Sequence, residues 1–487
     1  MKRISLLILA VFSLSAMVSA QNIDDALRYS NVFYGGTARF MSMGGAFTAL
    51  GGDISSLSQN PAGLGVFRSS EITITPQLMY NKTTSSFNGI SSDYLYNFNL
   101  NQGGFVSNLI SNANESGLIT LNFGYSFNKT NNHNQSTLIH GNNNSSSIAD
   151  YWAASAEGTY FRDLKYAEGI AFDAYVLDTL PGSGGRSYNT VFSTYGQNVR
   201  RIISNDGFTG EHAISIGGNY SNKIYFGGTF GISTIRYTGH YEHLESTDLD
   251  LPSEISSFTY TNHFEEKGTG YSLKLGAIIK PVEALRIGLA FHSPTLYRIN
   301  EYHKDDISSH FTNGGNHDWY NDPERFQYAL TTPFRALAGV AVQIKKFALI
   351  SADYEFVDYS TARFSETGDD YDYSDKNYNI KNSLKSASNI RVGGEVRLNR
   401  LYIRSGYGYY GKAFKAGEDN EDLDYKSLSF GVGFREKNVA VDFGFTNFSS
   451  QEKYFLYPLD VSYEQALAKL STNKNMFTVT FGYKFGY

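Results

Sequence analysis

The feature that most constrains this chain is a two-residue alternation that runs for the length of a bilayer crossing. Phe477, Val479, Phe481, Tyr483, Phe485 and Tyr487 alternate with Thr478, Thr480, Gly482, Lys484 and Gly486. Successive side chains of a strand point to opposite faces, so this segment reads as a strand with one apolar face and one small or charged face. Val439, Val441, Phe443 and Phe445 repeat the pattern against Ala440, Asp442, Gly444 and Thr446. Leu428, Phe430, Val432 and Phe434 do so against Ser429, Gly431, Gly433 and Arg435. Soluble strands average about five or six residues, whereas a strand that crosses a bilayer needs about 9–11. The segment 475–487 has the longer reach.

Fourteen segments of this kind are predicted, near 70–81, 92–103, 117–130, 210–221, 223–238, 268–280, 284–299, 326–343, 346–360, 387–398, 400–413, 424–436, 438–449 and 475–487. From the fourth onward the links alternate. Short ones fall at Asn222, at 281–283, at 344–345, at Asn399 and at Lys437. Long polar ones fall at about 131–209, 239–267, 300–325, 361–386, 414–423 and 450–474. Short periplasmic turns opposite long outer loops are the asymmetry of an outer-membrane barrel. The expected fold is therefore all-β: a transmembrane antiparallel β-barrel of about fourteen strands, with both chain ends on the periplasmic side.

Composition agrees. The chain holds 47 Gly, 37 Tyr and 35 Phe, and no later segment is apolar enough for a spanning helix. A closed barrel is one of only two architectures that satisfy the backbone in lipid. There is no cysteine, which removes disulfides and thiolate chemistry. A net charge of −6 offers no concentrated basic surface for nucleic acid. At the start, Lys2 and Arg3 precede an apolar run, Ile4 to Val18, and Val18-Ser19-Ala20 has the small residues of a cleavage site. The expectation is a secretory signal peptide over 1–20, a mature chain from Gln21, and export to the outer membrane.

Residues 21–69 do not alternate. Three glycine pairs, at 35–36, 44–45 and 51–52, separate short apolar patches, and Ala46 to Leu50 with Ile54 is too apolar for a solvated tail. This segment precedes the first strand, and a barrel of this size has room for a plug. The expected organisation is a plug over 21–69 and a barrel over 70–487.

Within that segment stand Tyr34-Gly35-Gly36-Thr37-Ala38-Arg39, Met43-Gly44-Gly45-Ala46, Gly52-Asp53 and Asn60-Pro61-Ala62-Gly63-Leu64. In this order, ahead of fourteen strands, they resemble the N-terminal hatch of the FadL/TodX outer-membrane transporters. The resemblance in residue pattern covers about 34–69. It implies a fourteen-stranded barrel with a hatch in its lumen. It also implies passive uptake of hydrophobic or amphipathic molecules, long-chain fatty acids among them, past the lipopolysaccharide. The hatch would open a lateral exit through the wall, with Gly35, Gly36, Asp53, Asn60, Pro61 and Ala62 as gating residues. Some related sequences are linked to hemin. Others act as surface subunits in protein secretion, so a non-transporting barrel that docks a surface or periplasmic protein partner is the alternative.

No catalytic arrangement stands out, and the expectation is a non-enzyme without cofactor or metal. No Gly-x-Ser-x-Gly elbow joins a strand to a helix, and Gly182-Ser183-Gly184-Gly185 lacks a phosphate-loop lysine. His240 and His243 form a His-x-x-His pair that cannot complete a coordination sphere alone. The acidic runs 366–375 and 418–424 lack calcium-loop spacing.

The inward faces carry more. Alternation places Lys274, Arg286, His292, Arg391, Arg397, Arg404 and Arg435 in the lumen with Glu395 and Asp442. Arg286, His292, Arg391, Arg397, Arg404 and Arg435 are the candidate ligand-binding residues. An arginine fork suits the carboxylate of an amphipathic ligand, while paired charges would instead line or rigidify the interior.

Overall fold

The structure is a computed structural model that describes residues 22–112, 116–192, 194–247, 255–368, 371–459 and 465–486. The expected signal peptide, its cleavage site and Tyr487 lie outside the described residues.

Nineteen strand segments join in one sheet; eighteen make fourteen staves, and the nineteenth, Asn316–Tyr320, is a short hairpin arm on Leu296–Phe311. The staves are β1 Ser70–Ser86, β2 Ile90–Ser111, β3 Leu118–Asn132 with its continuation Gln135–Asn143, β4 Gln197–Tyr220, β5 Ile224–Ser246 and β6 Ile255–Val282. They continue as β7 Leu285–His292 and Leu296–Phe311, β8 Glu324–Thr331 and Arg335–Ile344, and β9 Ala348–Asp358 and Arg363–Glu366. The last five are β10 Ser386–Leu398, β11 Leu401–Tyr410, β12 Tyr425–Glu436, β13 Val439–Phe455 and β14 Leu467–Phe485. Every neighbour is antiparallel, and β1 pairs with β14 from Ser70↔Phe485 to Ser86↔Lys469, which closes the sheet. Closure leaves no free edge at that seam, as lipid demands.

The alternation sorts as expected. Ile72, Ile74, Phe443, Phe481 and Tyr483 are exposed on the outer surface, while Thr73, Thr75, Asp442 and Thr480 are buried inside. At the short turns Asn222, Lys345, Asn399 and Lys437 adopt positive φ of 50–59°. Tight hairpins use that region because its backbone twist matches the twist of the strands they join.

Three expectations need correction. The strands run far beyond the membrane, so the predicted link 239–267 shrinks to the stretch between Ser246 and Ile255, and 450–474 to that between Phe455 and Leu467. Polar residues there keep their ladder hydrogen bonds, as His240↔His263 does. Second, β7 and β8 are each broken at a proline, Pro294 and Pro333, inside stretches predicted as continuous. Proline has no N–H for the ladder. Third, 131–209 is no open loop. Gln135–Asn143 pairs with β4. Helices α3 (Ile148–Ala156) and α4 (Tyr166–Asp173), with a small hairpin, fold over the outer end of the barrel. Trp152, Ile170, Val176 and Phe192 bury there against Phe258, Tyr260 and Tyr457.

The segment before β1 fills the lumen. It contains α1 (Ile23–Ser30), α2 (Ala38–Ser42) and two 3₁₀ turns, Ile54–Ser58 and Pro61–Val66. Its apolar side chains, Phe40, Met43, Phe47, Leu57 and Leu64, are buried. Its backbone is held by inward side chains around the wall. Ala38 N donates to Thr480 Oγ1 at 2.7 Å, Thr48 N to Asp353 Oδ2 at 2.9 Å, and Asn122 Nδ2 to Leu64 O at 2.7 Å.

Candidate functional site

The Asn-Pro-Ala element is a fixed turn. Asn60 is extended (φ −139°, ψ 101°), as a residue before proline prefers. Its Oδ1 accepts from Ala62 N at 3.1 Å, and its Nδ2 donates to Thr48 O at 2.6 Å. The turn can lie against the wall because the wall is bare there. A Cβ on Gly227 would stand 2.3 Å from Pro61 O, so no other residue fits. Asp53 caps the first 3₁₀ turn through Ser55 N at 3.0 Å and takes Thr37 Oγ1 at 2.8 Å. Gly35 and Gly36 run beside the inner wall. Phe33 N donates to Thr130 O at 2.7 Å and Gly35 N to Lys129 O at 2.8 Å, so 33–35 is tied to the backbone of β3.

Above α2 and beside α1 lies a cavity of about 370 Å³, a size that suits a small-molecule ligand. One side is amide-rich, with Gln77, Asn101, Asn131, Asn132 and Asn205; the other is aromatic, with Phe33, Tyr410, Tyr425 and Phe448. Phe33 packs edge-on against Tyr410, Tyr425 and Phe448 at 4.8–5.0 Å between ring centres. Charged groups also border it: Asp24, Arg28, Lys129, Glu452 and Lys474. Asn132 Nδ2, Tyr34 OH and Thr446 Oγ1 have no protein partner. Such a surface can hold an elongated amphiphile, with hydrogen bonds to one side and rings on the other.

The six candidate ligand residues do not line this cavity. Arg391 is fully buried and paired with Glu355 at 2.9 Å, which also binds Arg335. Arg404 Nε meets Glu395 Oε2 and its Nη1 meets Asp442 Oδ1, each at 2.6 Å. Glu395 also accepts from Arg39 of α2 at 3.0 Å. Arg286 Nη1 donates to Leu50 O and His292 Nε2 to Gln59 O, each at 2.7 Å, so both seat the inner segment. Arg397 is exposed at a short turn, where its Nε donates to Asn399 O at 3.1 Å. Arg435 lies half-buried, 3.9 Å from Asp442. Alternation gave the correct side for most of these, but their charges are committed to acids and carbonyls.

His240 and His243 fall on one strand three residues apart, hence on opposite faces. His243 accepts from Arg201 Nε at 3.0 Å and bonds Glu245 at 2.9 Å.

The inner helix carries its own titrating group. Asp25 receives Asn22 N at 3.1 Å and pairs with Arg28. Burial, opposed by Arg28 and reinforced by the Glu266 carboxylate, pushes its carboxyl up to about 7. Glu266 in turn accepts from Tyr29 and from Tyr328 at 2.5 Å, which ties α1 to β6 and β8.

Beside the cavity the wall itself parts. β2 pairs with β3 only from Gln102↔Asn128 downward, so Ile90–Asn101 has β1 as its sole ladder partner. The continuation of β3 crosses the inner face of β1 and β2 instead, where Asn81 Nδ2 donates to Asn134 O at 3.0 Å and Ser85 Oγ to Leu138 O. A second cavity of about 360 Å³ fills the gap, lined by Asn97, Asn99, Leu100, Phe127, Asn134 and Phe208, with Lys129 shared between the two.

Residues 225–485 match the family described as outer membrane protein transport protein (OMPP1/FadL/TodX). The chain belongs to this family. It is an outer-membrane barrel of the FadL/TodX kind, a family of channels for hydrophobic compounds. A FadL homologue of Pseudomonas aeruginosa superposes with a TM-score of 0.56 at 12% identity, over 94% of this chain and 100% of its own. The toluene transporter TodX of P. putida gives 0.53 at 13% identity, over 93% of this chain and 100% of its own. Identity this low carries the fold alone. No protein of curated function matches the sequence significantly.

The cavity residues Asp24, Arg28, Lys129, Glu452 and Lys474 escaped the sequence reading. Lys129 has outward parity on β3. It borders the lumen because the register slips between Lys129 and Asn131 and the strand turns inward. Such a bulge re-aims side chains. The run Asn131-Asn132-His133-Asn134 marks the place, though polar residues there read as the start of a loop.

Proposed function

We propose that this FadL/TodX-family barrel takes up hydrophobic or amphipathic small molecules of the long-chain fatty acid type by diffusion. The inner segment 22–69 is its hatch. The gap between β2 and β3 is its lateral exit. The observation that carries the reading is the adjacency of the two cavities, one in the lumen and one in the wall, with hatch residues Phe33–Gly36 beside the residue they share. Ligand would rest against the aromatic side of the lumen and leave sideways once 33–36 shifts from β3.

An acyl chain gains about 0.8 kcal/mol for each methylene buried, roughly a four-fold change in affinity. A charge-assisted hydrogen bond to the head group adds about 1.5–3 kcal/mol. The tail would therefore dominate affinity and the head would set orientation. Titration of the detergent-solubilised protein with saturated acids of graded length, and with hemin as a bulky comparison, tests this. Stepwise tightening with length is expected. Affinity indifferent to length, or binding confined to a folded protein partner, would move the assignment to a surface-docking role.

A further inference from the structure

We infer that Lys129 is the charge filter between lumen and wall, the residue that admits an anionic head group to the lateral cavity. This rests on the uptake reading above and adds a specificity-determining residue to it.

Lys129 is 8% exposed, and among the described residues no carboxylate lies within 4 Å of its ammonium. Of the other strongly buried cations of the wall, Lys274, Arg335, Arg391 and Arg404 each have such an acid, while Arg201 donates instead to His243 Nδ1 and to Leu456 O. The group facing the Lys129 ammonium is the ring of Phe208, 5.0 Å from Nζ. A ring face attracts a cation but does not neutralise it. A buried charge without a counter-ion is costly, and an anion arriving beside it would relieve that cost.

The surroundings fit an amphiphile's head. Asn99 Nδ2 donates to Asn97 Oδ1 at 2.8 Å, yet Asn99 Oδ1 is buried without a partner. Leu100, Phe127 and Phe208 give the same cavity an apolar side. The barrier on the lumen side is thin. Gly35 approaches so closely that a Cβ would stand 2.6 Å from Lys129 O. A head group released by a shift of 33–35 therefore meets Lys129 first. Carboxylate and sulfate heads share the needed charge; a hydroxyl head does not.

The test compares uptake of hexadecanoic acid, hexadecyl sulfate and hexadecanol by cells carrying the full-length protein, its Lys129→Met variant or its Lys129→Arg variant. Heat-shifted gel mobility verifies that each barrel assembles. Lys129→Met is expected to lower uptake of the acid and the sulfate at least ten-fold relative to the alcohol, and Lys129→Arg to restore it. Equal losses for all three, or no change, would overturn the assignment and leave Lys129 a packing residue for Phe208. If the unaltered protein takes up none of them, the uptake reading itself fails. Binding of hexadecyl sulfate in neutral detergent then decides the filter: Lys129→Met must weaken it ten-fold more than it weakens hexadecanol, and otherwise the inference falls.

Discussion

Asn60 and Gly276 touch so closely that a Cβ on Gly276 would stand 1.9 Å from Asn60 Oδ1. The turn that carries the Asn-Pro-Ala element is therefore seated on a wall position that only glycine can occupy. Gly276→Ala is expected to lift the turn from β6 and to admit bulky hydrophobic antibiotics that the unaltered protein excludes. Growth inhibition by such a compound, read against unchanged gel mobility, checks it.

Asn60→Ala removes the bonds to Ala62 N and Thr48 O while leaving the seat open. Loss of a cap of this kind costs about 1 kcal/mol, too little to prevent assembly. Uptake should fall more than the yield of inserted barrel. A variant that fails to insert at all would make Asn60 a folding determinant and remove it from gating.

The pair of Arg391 and Glu355 belongs to the wall rather than to a ligand. Arg391→Met leaves Glu355 in a buried site with Arg335 and the Asn389 amide as its partners. Breaking such a pair costs about 3–5 kcal/mol. The melting temperature in detergent should drop sharply, with the ratio of acid to alcohol affinity unchanged. A shift in that ratio would return Arg391 to the ligand site.

The docking of α1 should depend on pH. A carboxyl whose folded pKa is raised adds its stability in full below the unfolded value, about 3.9, and loses it as pH climbs through the folded one. For Asp25 that upper limit is about 7. Protection of the α1 amides against hydrogen exchange, relative to the free-peptide rate at each pH, should therefore fall between pH 5 and pH 8. Asp25→Asn should flatten the profile; an unchanged slope would assign the effect to another group.

Trp152 secures the outer cap, with its ring centre 5.0 Å from that of Tyr260 and almost no exposure. Trp152→Ala is expected to cost about 3–5 kcal/mol locally. Protease should then cut within 158–187 far faster while the barrel melts as before.

The last stave was legible over 475–485 because period and length agreed, and the short turns were legible as isolated polar residues between alternating runs. What the sequence concealed came from longer range. The acids that neutralise Arg391 and Arg404 sit on other strands, Glu355 on β9, Glu395 on β10 and Asp442 on β13, so no single strand displays the pairing. Pro294 and Pro333 lay in runs whose apolar content outweighed one missing donor each. The cavity was hidden for a different reason. It is bounded by α1 on one side and by β13 and β14 on the other, and Asp24 and Glu452 both border it only because the segment before β1 folds into the lumen.

The contact between Ala38 and Thr480 joins residues 442 positions apart, and this sets a schedule. The start of α2 finds its full seat only after the last stave has arrived. Until then Phe40 and Phe47 have no finished wall to hide against. The seam between β1 and β14, once zipped, shelters the sheet edge and those side chains together. An unfinished barrel thus advertises itself by the greasy end it cannot put away, and completion is signalled by its disappearance.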